Sequence, residues 1–383
     1  MKILVLGAGR MGLGAAYDLA HNSPEVSSVT VADVDSERAR AVCETVGGAK
    51  LTPARIDVED FDRAVALMRG HDAAISCVTY SHNLRLARAA VEARTNFCDL
   101  GGNNAVVDAE LALDEEAKAA GVNVVPDCGL APGMVAVLAA HGAARFDEIG
   151  EIHIRVGGLP LQPKPPLNYQ IVFSVEGLIN EYVERARVVR GGRIVEVDSM
   201  TEIEELEFPA PFGRLEAFQT SGGTSTLPDT FAGRIRELDY KTIRYPGHCA
   251  QFKLLIGLGL ASSDEVDLGG VPFAPRKLLG ELLVRHLPAD EPDAVLVRLE
   301  FRGRTNNETR TLRYDIINRF DGRTRLSAMQ RTTAFPASIV AQTMAQGLTT
   351  AKGALPQERC IPPAPFVAAL AARDIRISES FVE

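Results

Sequence analysis

Along the first 125 residues, short apolar runs alternate with stretches whose apolar positions recur every three or four residues. The runs are "KILVL", "SSVTVADVD", "AKLTPARIDV", "HDAAISCV", "TNFCDL" and "VNVVPDCG". Apolar runs of this length, bounded by turn residues, predict buried strands. Between them lie helix-like stretches, including Glu59 to Met68, Asn83 to Ala93 and Val107 to Ala120. Strand and helix in alternation predict an α/β domain with a parallel, doubly wound sheet. Pro132 and Gly133 then open an apolar helix from Met134 to Ala144.

From about Glu151 the pattern changes. "IHIRVGGLP" predicts a strand, and "SVEGLINEYV" a helix with Ser174 as N-cap and Ile179, Tyr182 and Val183 on one face. "ARVVRGGRIVEV" predicts a hairpin turning at Gly191-Gly192. "RELDYKTIRYPGH" is a strand leading into a helix near Ala250 to Leu260. In "DAVLVRLEFRG" the alternation puts Val295, Val297, Leu299 and Phe301 on one face; "TNNE" turns the chain and "TRTLRYDIINRFD" returns it. Long strands, hairpins and few helices predict an α+β second domain on an open mixed sheet. Helices would cover one of its faces, leaving the other for a second subunit. Near the end, Pro336 opens a small-residue helix that Gly347 closes, and "PFVAALAARDIRI" adds one more. Both are expected to pack back on the first domain. The expected division is therefore residues 1–130 with 331–383 in one domain and 131–330 in the other. The proline-rich Leu159 to Tyr169 stretch is the best candidate for a mobile loop.

Composition narrows the class. The 383 residues are 46% hydrophobic and 24% charged, ordinary for a soluble globular protein, and suggest two domains. The net charge of −9 is spread along the chain without a basic run, which argues against a nucleic-acid partner. No apolar stretch reaches the roughly 18 residues of a membrane helix, and "MKILVLGAG" runs straight into a glycine turn without a cleavage site, as a strand does. Six scattered cysteines fit reduced thiols in a cytoplasm. The histidines and cysteines show no metal-ligand spacing.

The chemistry begins at "LGAGRMG". Gly7 permits a tight strand-to-helix turn, Gly9 lets the backbone approach a pyrophosphate, and Gly12 lets the helix pack on the strand. Arg10 and Met11, between them, lie at a helix N-terminus suited to phosphate. Asp33 ends the second strand 21 residues past Gly12, where a carboxylate receives the ribose hydroxyls. This is a Rossmann-type arrangement. A 2′-hydroxyl suits Asp33 and a 2′-phosphate does not, so NAD is favoured over NADP, although Arg38 and Arg40 lie nearby. Asp57, after the third strand, suits the adenine amine or an N-cap for the residues from Val58. Ligands in such sheets sit beyond the carboxyl ends of the strands. That places Val78, Thr79, Tyr80 and His82 near the cofactor, with Asp99 and Asp127 at the next two strand ends.

"FQTSGGTSTL" and "YKTIRYPGH" form a second polar concentration. Their order along the chain with "DLGG", "GLAPGM", "PPLNYQIVFSVEGLINEY" and "FPASIVAQTMAQG" resembles the saccharopine dehydrogenase-like superfamily, most closely its bacterial lysine 6-dehydrogenase branch. The resemblance covers nearly the whole chain. It implies NAD-dependent oxidation of the ε-amine of lysine, with ammonia and a cyclising 6-semialdehyde as products, in a homodimer or higher oligomer formed through the second domain. Arg244 would then hold the substrate carboxylate, with Thr220, Ser221, Thr224 and His248 around it. Alternatively, Arg244 pairs with a surface acid and "SGGTS" is a loop ordered by its own turns. An ammonium of pKa about 10.4 must lose a proton before carbon 6 can be oxidised. Tyr80, His82, Asp99 and Asp127 are the candidates for that task, with packing or capping as their alternative roles. Rival readings are a saccharopine or carboxyspermidine dehydrogenase, which needs a second cation among Arg155, Arg244 and Arg310, a dehydrogenase of another diamine acid such as ornithine, and a dinucleotide sensor without turnover.

Overall fold

The apolar runs of the first 125 residues do become strands, and the computed structural model, which describes residues 1–382, orders them into one parallel sheet. They are β1 (Lys2–Leu6), β2 (Ser28–Asp33), β3 (Leu51–Arg55), β4 (Ala73–Ser76), β5 (Asn96–Asp99) and β6 (Asn123–Val125). The spatial order is β6-β5-β4-β1-β2-β3, and Gly353–Ala354 adds a short parallel strand beyond β6. β4 is buried at all four positions, as expected of a strand covered on both faces. The connecting helices are α1 (Arg10–His21), α2 (Ser36–Val46), α3 (Phe61–Met68), α4 (Asn83–Ala93), α5 (Asn104–Leu111) and α6 (Asp114–Ala120). They cover a core that includes Leu4, Leu6, Met68, Leu86, Phe97 and Val124. The strand order reverses between β1 and β4, which opens the usual ligand position beyond their carboxyl ends.

A second sheet has nine strands. β7 (Glu148–Pro160), β8 (Ala186–Arg190), β9 (Arg193–Val197), β10 (Glu204–Phe208), β11 (Gly213–Gln219) and β12 (Glu237–Arg244) join the long hairpin Asp293–Thr305/Glu308–Arg319 and the last strand, Ser378–Val382. β12 runs parallel to β7, while the other pairings are antiparallel, so the sheet is mixed. Val295, Val297, Leu299 and Phe301 are all fully buried, as their alternation predicts. Gly191 and Gly192 turn the β8–β9 hairpin with φ of +56° and +80°, the left-handed pair that a two-residue turn requires.

The chain divides into a first unit of residues 1–145, 225–230 and 330–376, and a second of 146–224, 231–329 and 377 onward. Three assignments differ from the sequence-based division at 130 and 331. α7 (Val135–Ala143) is apolar on nearly every side and packs in the first unit. Residues 225–230, inside the presumed second domain, also belong to the first. The C-terminal strand belongs to the second, because it pairs with Glu308–Arg319.

Local expectations fail where the deciding contact is distant. The stretch from Val107 to Ala120 breaks into α5 and α6, with Leu113 turned inward and three acids opening the new helix. The helix placed from Pro336 instead begins at Ala328, with Pro336 inside it. Asp293, 35 residues earlier, accepts from the backbone N–H groups of Ala328 (2.6 Å) and Met329 (2.9 Å) and so fixes that start. Val183 is 38% exposed rather than on the buried face of α8 (Val175–Val183). The Leu159 to Tyr169 stretch is held at both ends, with Leu159, Leu167 and Tyr169 buried, while Gln162 to Pro166 are exposed.

Candidate active site

The three glycines of the first turn are there for different reasons. Gly7 has φ of +99°, and a Cβ on it would lie 2.9 Å from the Cys77 carbonyl oxygen and 3.0 Å from Val78. A Cβ on Gly12 would lie 1.8 Å from the Gly7 carbonyl oxygen. Both therefore serve protein packing. A Cβ on Gly9 would meet nothing within 4 Å, so Gly9 leaves space rather than filling it. No side chain caps α1 there, which leaves the helix N-terminus at Arg10, Met11 and Gly12 for an anion. Gln330 Nε2 donates to the Arg10 carbonyl (3.0 Å) and steadies that turn. Asp33 reaches back to the same loop: its Oδ2 accepts from Ala8 N–H (2.7 Å) and its Oδ1 from Asp35 N–H (2.9 Å). These residues fit a dinucleotide pyrophosphate and its ribose.

Two cofactor expectations change. Asp57 does not cap a helix; it accepts from Glu59 N–H within a turn, while Asp60 caps α3. Arg38 and Arg40 lie on α2 paired with Asp35 and Glu37. The cation beside Asp33 is Arg55, its register partner on β3, whose Nε donates to the Val34 carbonyl at 3.2 Å. Val78 lies against the Gly7 turn. Thr79 is exposed and starts a short turn, Tyr80–His82, in which both rings are half-buried.

At the ends of β5 and β6 the first unit buries acids. Asp99 is fully buried; its Oδ1 accepts from Gly101 N–H (2.6 Å) and Asp127 N–H (3.2 Å). Asp127 is 3% exposed, in left-handed backbone at φ of +61°, and its Oδ2 accepts from the Ser225 hydroxyl. Its other oxygen sits where a Gly101 side chain would be, 1.8 Å from that Cβ position, and the Tyr80 ring covers Gly102. Behind them, Glu358 Oε1 accepts from Thr226 (2.9 Å) and Thr230 (2.7 Å). Burial, then the negative charges of Asp99 and Glu358, push Asp127 up to about 8 against the pull of the Ser225 hydroxyl. A carboxyl that titrates near neutrality can both take and return a proton. His82 contributes no side-chain cap to the adjoining α4. Sequence reasoning missed Ser225 and Glu358. Ser225 lies in "SGGTSTL", a stretch read as part of the other polar concentration.

The second unit buries a cation. Arg244 ends β12, is 3% exposed, and has no carboxylate within 4 Å among the described residues. Its guanidinium lies 4.8 Å from the Tyr169 ring centre, and its Nε donates to Tyr182 Oη at 2.9 Å. Tyr182 O–H in turn donates to His248 Nε2 (3.0 Å), and His248 Nδ1–H donates to the Leu167 carbonyl (3.0 Å). Each donor in this chain meets an acceptor with the imidazole neutral. Burial, then the Arg244 charge, hold His248 down to about 3, consistent with that tautomer. Burial also raises Glu181 to about 7, with Arg244 pulling it the other way.

His248 therefore stands behind Arg244, with both ring nitrogens engaged. The three hydroxyl residues are also engaged. Thr220 shares a hydrogen bond with Thr242 (2.7 Å), Ser221 donates to the Asn180 carbonyl (3.4 Å), and Thr224 donates to the Arg187 carbonyl (2.8 Å). They brace the loop and leave no open hydroxyl cradle. The functional residues missed here are Tyr169 and Tyr182, whose signal was an aromatic in each half of "NYQIVFSVEGLINEY".

The glycine loop on a reversed parallel sheet makes the first unit a dinucleotide-binding fold, joined in one chain to a mixed sheet that carries a buried guanidinium. The family model described as Saccharopine dehydrogenase NADP binding domain matches residues 3–125, and that described as Saccharopine dehydrogenase C-terminal domain matches residues 129–375. The chain belongs to the saccharopine dehydrogenase family. It is 26% identical over 313 residues to a saccharopine dehydrogenase [NADP(+), L-glutamate-forming] of Pyricularia oryzae, covering 77% of this chain and 65% of that protein. It is 26% identical over 175 residues to the carboxynorspermidine synthase of Vibrio cholerae, covering 40% and 42%. The chain thus spans less than two thirds of these relatives' lengths. The fold matches that of apo saccharopine dehydrogenase (L-Glu forming) from Saccharomyces cerevisiae over all of both chains, with a TM-score of 0.81 at 18% identity. Homospermidine synthase from Legionella pneumophila gives 0.69 at 11%, over 100% of this chain and 91% of that one.

Proposed function

We propose that this protein is an NAD-dependent oxidoreductase that oxidises the ε-amine of L-lysine, releasing ammonia and the 6-semialdehyde, which cyclises to piperideine-6-carboxylate. The observation that carries this reading is Arg244, a buried guanidinium with aromatic and phenolic partners and no carboxylate within 4 Å among the described residues, Glu181 acting on it only from further away. A charge so placed invites one carboxylate, and the planar fork fits it bidentately. Arg155 and Arg310, the other cations considered, are taken: Arg155 by Glu204 and Asp239, Arg310 by Glu308. One free anchor suits a substrate with one carboxylate.

In this reaction Asp127 takes the proton from the substrate ammonium; an N–H bond breaks and an O–H bond forms on Oδ1 or Oδ2. The nicotinamide, when bound, supplies the hydride acceptor for carbon 6. Asp127 then releases that proton to solvent, accepts another from the water that attacks the imine carbon, and returns this one to the amine nitrogen, which departs as ammonia. Ser225 orients the carboxyl throughout, and Asp99 keeps it basic. Asp33 favours NAD. The NADP named in the family model is the competing reading, and Arg55 is the residue that would serve it.

A second reading is supported by the named relatives: a dehydrogenase of a secondary amine such as saccharopine or a carboxyspermidine. Reduced-nicotinamide absorbance decides between the two. Purified protein is given NAD or NADP with L-lysine, saccharopine, ornithine or carboxyspermidine at about pH 10, where roughly a quarter of the lysine amine is already deprotonated. Turnover with lysine, with ammonia released in step, is expected. Turnover with saccharopine alone overturns the substrate, and silence with all four despite dinucleotide binding leaves a sensor. A homodimer through the second unit belongs to the same proposal. Leu254, Leu258, Leu268, Val271 and Val284 there are 58–70% exposed, apolar side chains that a partner would cover. Light scattering is expected to give twice the 41.2 kDa chain mass; a monomer would refute this part.

A further inference from the structure

Among the buried acids of the first unit that the reaction above does not use, Glu110 stands beside the ones that it does. Glu110, on α5, is fully buried, and neither of its carboxyl oxygens has a hydrogen-bond donor among the described residues. Asp99 Oδ2 is in the same condition. Glu110 lies one turn beyond the buried Val107, on the face where the helix pattern calls for an apolar residue. No Lys, Arg or His pairs with Asp99, Glu110 or Asp127 among the described residues. α4 packs beside α5 with Leu86, Ala87 and Ala90 buried, while its charged residues Arg85, Arg88 and Glu92 are exposed. β6 brings neutral Asn123 and the loop after it brings the Cys128 thiol; Cys98 lies on β5 and Arg359 follows Glu358. Nothing supplied by these elements neutralises two buried carboxylates side by side. An ionised, unpaired carboxyl at such a depth is prohibitively costly, and two that share a site hold one proton between them.

We propose that Glu110 is a positioning residue that stays neutral, donates its proton to Asp99 Oδ2, and so keeps Asp99 anionic beside Asp127. The proton satisfies Asp99 Oδ2 without a cation. Asp99 can then hold the Gly101 and Asp127 amides and repel charge on Asp127, which makes Asp127 a stronger base. Burial, then the Asp99 charge, raise Glu110 well above the usual carboxylate range, in keeping with this direction. Its catalytic consequence rests on the amine-oxidation reading; the proton on Glu110 does not.

The test uses E110Q and E110L in the full chain. E110Q keeps a neutral donor at the same place, and E110L removes it. The infrared difference between wild type and E110Q at about pH 7 is expected to show the loss of a protonated-carboxyl C=O stretch. An unchanged band overturns the proposal. The pH profile of kcat/KM for lysine is expected to keep its limb near 8 in E110Q and to move by roughly one to two pH units lower in E110L, since Asp99 then takes a proton itself and stops repelling Asp127. Equal shifts in both variants, or none in E110L, also overturn it. Fluorescence titration with reduced dinucleotide checks that the first unit is intact; if E110L does not bind, the infrared comparison with E110Q decides alone. A lost band without any lysine turnover refutes the substrate reading and leaves the proton on Glu110 standing.

Discussion

Arg244 in the second unit and Asp127 in the first are equally hidden from water, each 3% exposed. Their surroundings differ in kind. Arg244 lies among rings and one chain of hydrogen bonds, Tyr182 to His248 to the Leu167 carbonyl, and the one acid that acts on it, Glu181, does so from beyond 4 Å and favours its charge. Asp127 lies among other acids, with a hydroxyl and amides as its only relief. Burial among neutral dipoles keeps a charge fixed across the working pH range. Burial among like charges turns a group into one that titrates. The first suits an anchor and the second suits a proton carrier.

Four changes bear on that contrast, taken from the largest effect down. Asp127→Asn should lower kcat for lysine by roughly 10²–10⁴-fold and erase the rise in activity near pH 8, with reduced-dinucleotide binding retained; a surviving rise would assign the proton to another group. Arg244→Ala should cost roughly 10²–10³-fold in kcat/KM, chiefly through KM, and should leave the Asp127 limb where it was. Loss of the limb in that variant would mean the two clusters are not separate in function. Tyr182→Phe leaves Arg244 Nε without its acceptor and His248 Nε2 without its donor. Chemical denaturation should show a loss of about 1–3 kcal/mol, with only a modest rise in KM. The smallest effect is on heat stability. The folded pKa of Asp127 is raised above the unfolded value of about 3.9, so its stabilising contribution is complete below about pH 4 and is lost as pH rises through about 8. Wild type should therefore fall in Tm between pH 6 and 9 by roughly 2–4 °C more than Asp127→Asn. Equal falls would contradict the carboxyl as a buried, titrating group.

Much of this was written in local pattern. The strands of the first sheet, the glycine turn, Asp33 and the β8–β9 hairpin follow from apolar period and turn chemistry, which need only a few neighbouring residues. Arg244 was singled out as a candidate carboxylate partner by residue type and by resemblance, and it is buried without a carboxylate within 4 Å among the described residues. What stayed hidden depends on distant contacts. Asp293 fixes a helix start 35 residues away, and Ser225 reaches Asp127 across 98 positions. Thr220, Ser221 and Thr224 looked like a cradle because hydroxyls and glycines are the right chemistry for one. Only three dimensions show that each hydroxyl is already engaged. Tyr169 was hidden by its prolines, which mark an irregular segment without saying whether it is buried.

The division of the chain has a practical side. The polypeptide passes between the two units five times, at 145, 224, 230, 329 and 376. No single cut can therefore free a whole nucleotide-binding piece. A fragment ending at 125, where the first family match stops, would carry the glycine turn yet lack Asp127, the hydroxyl of Ser225, and the helix that holds Gln330. Recombination that trades cofactor modules between relatives by one splice would thus yield a glycine loop stripped of the proposed acid–base residue. In this architecture the two functions are inherited as one length of chain.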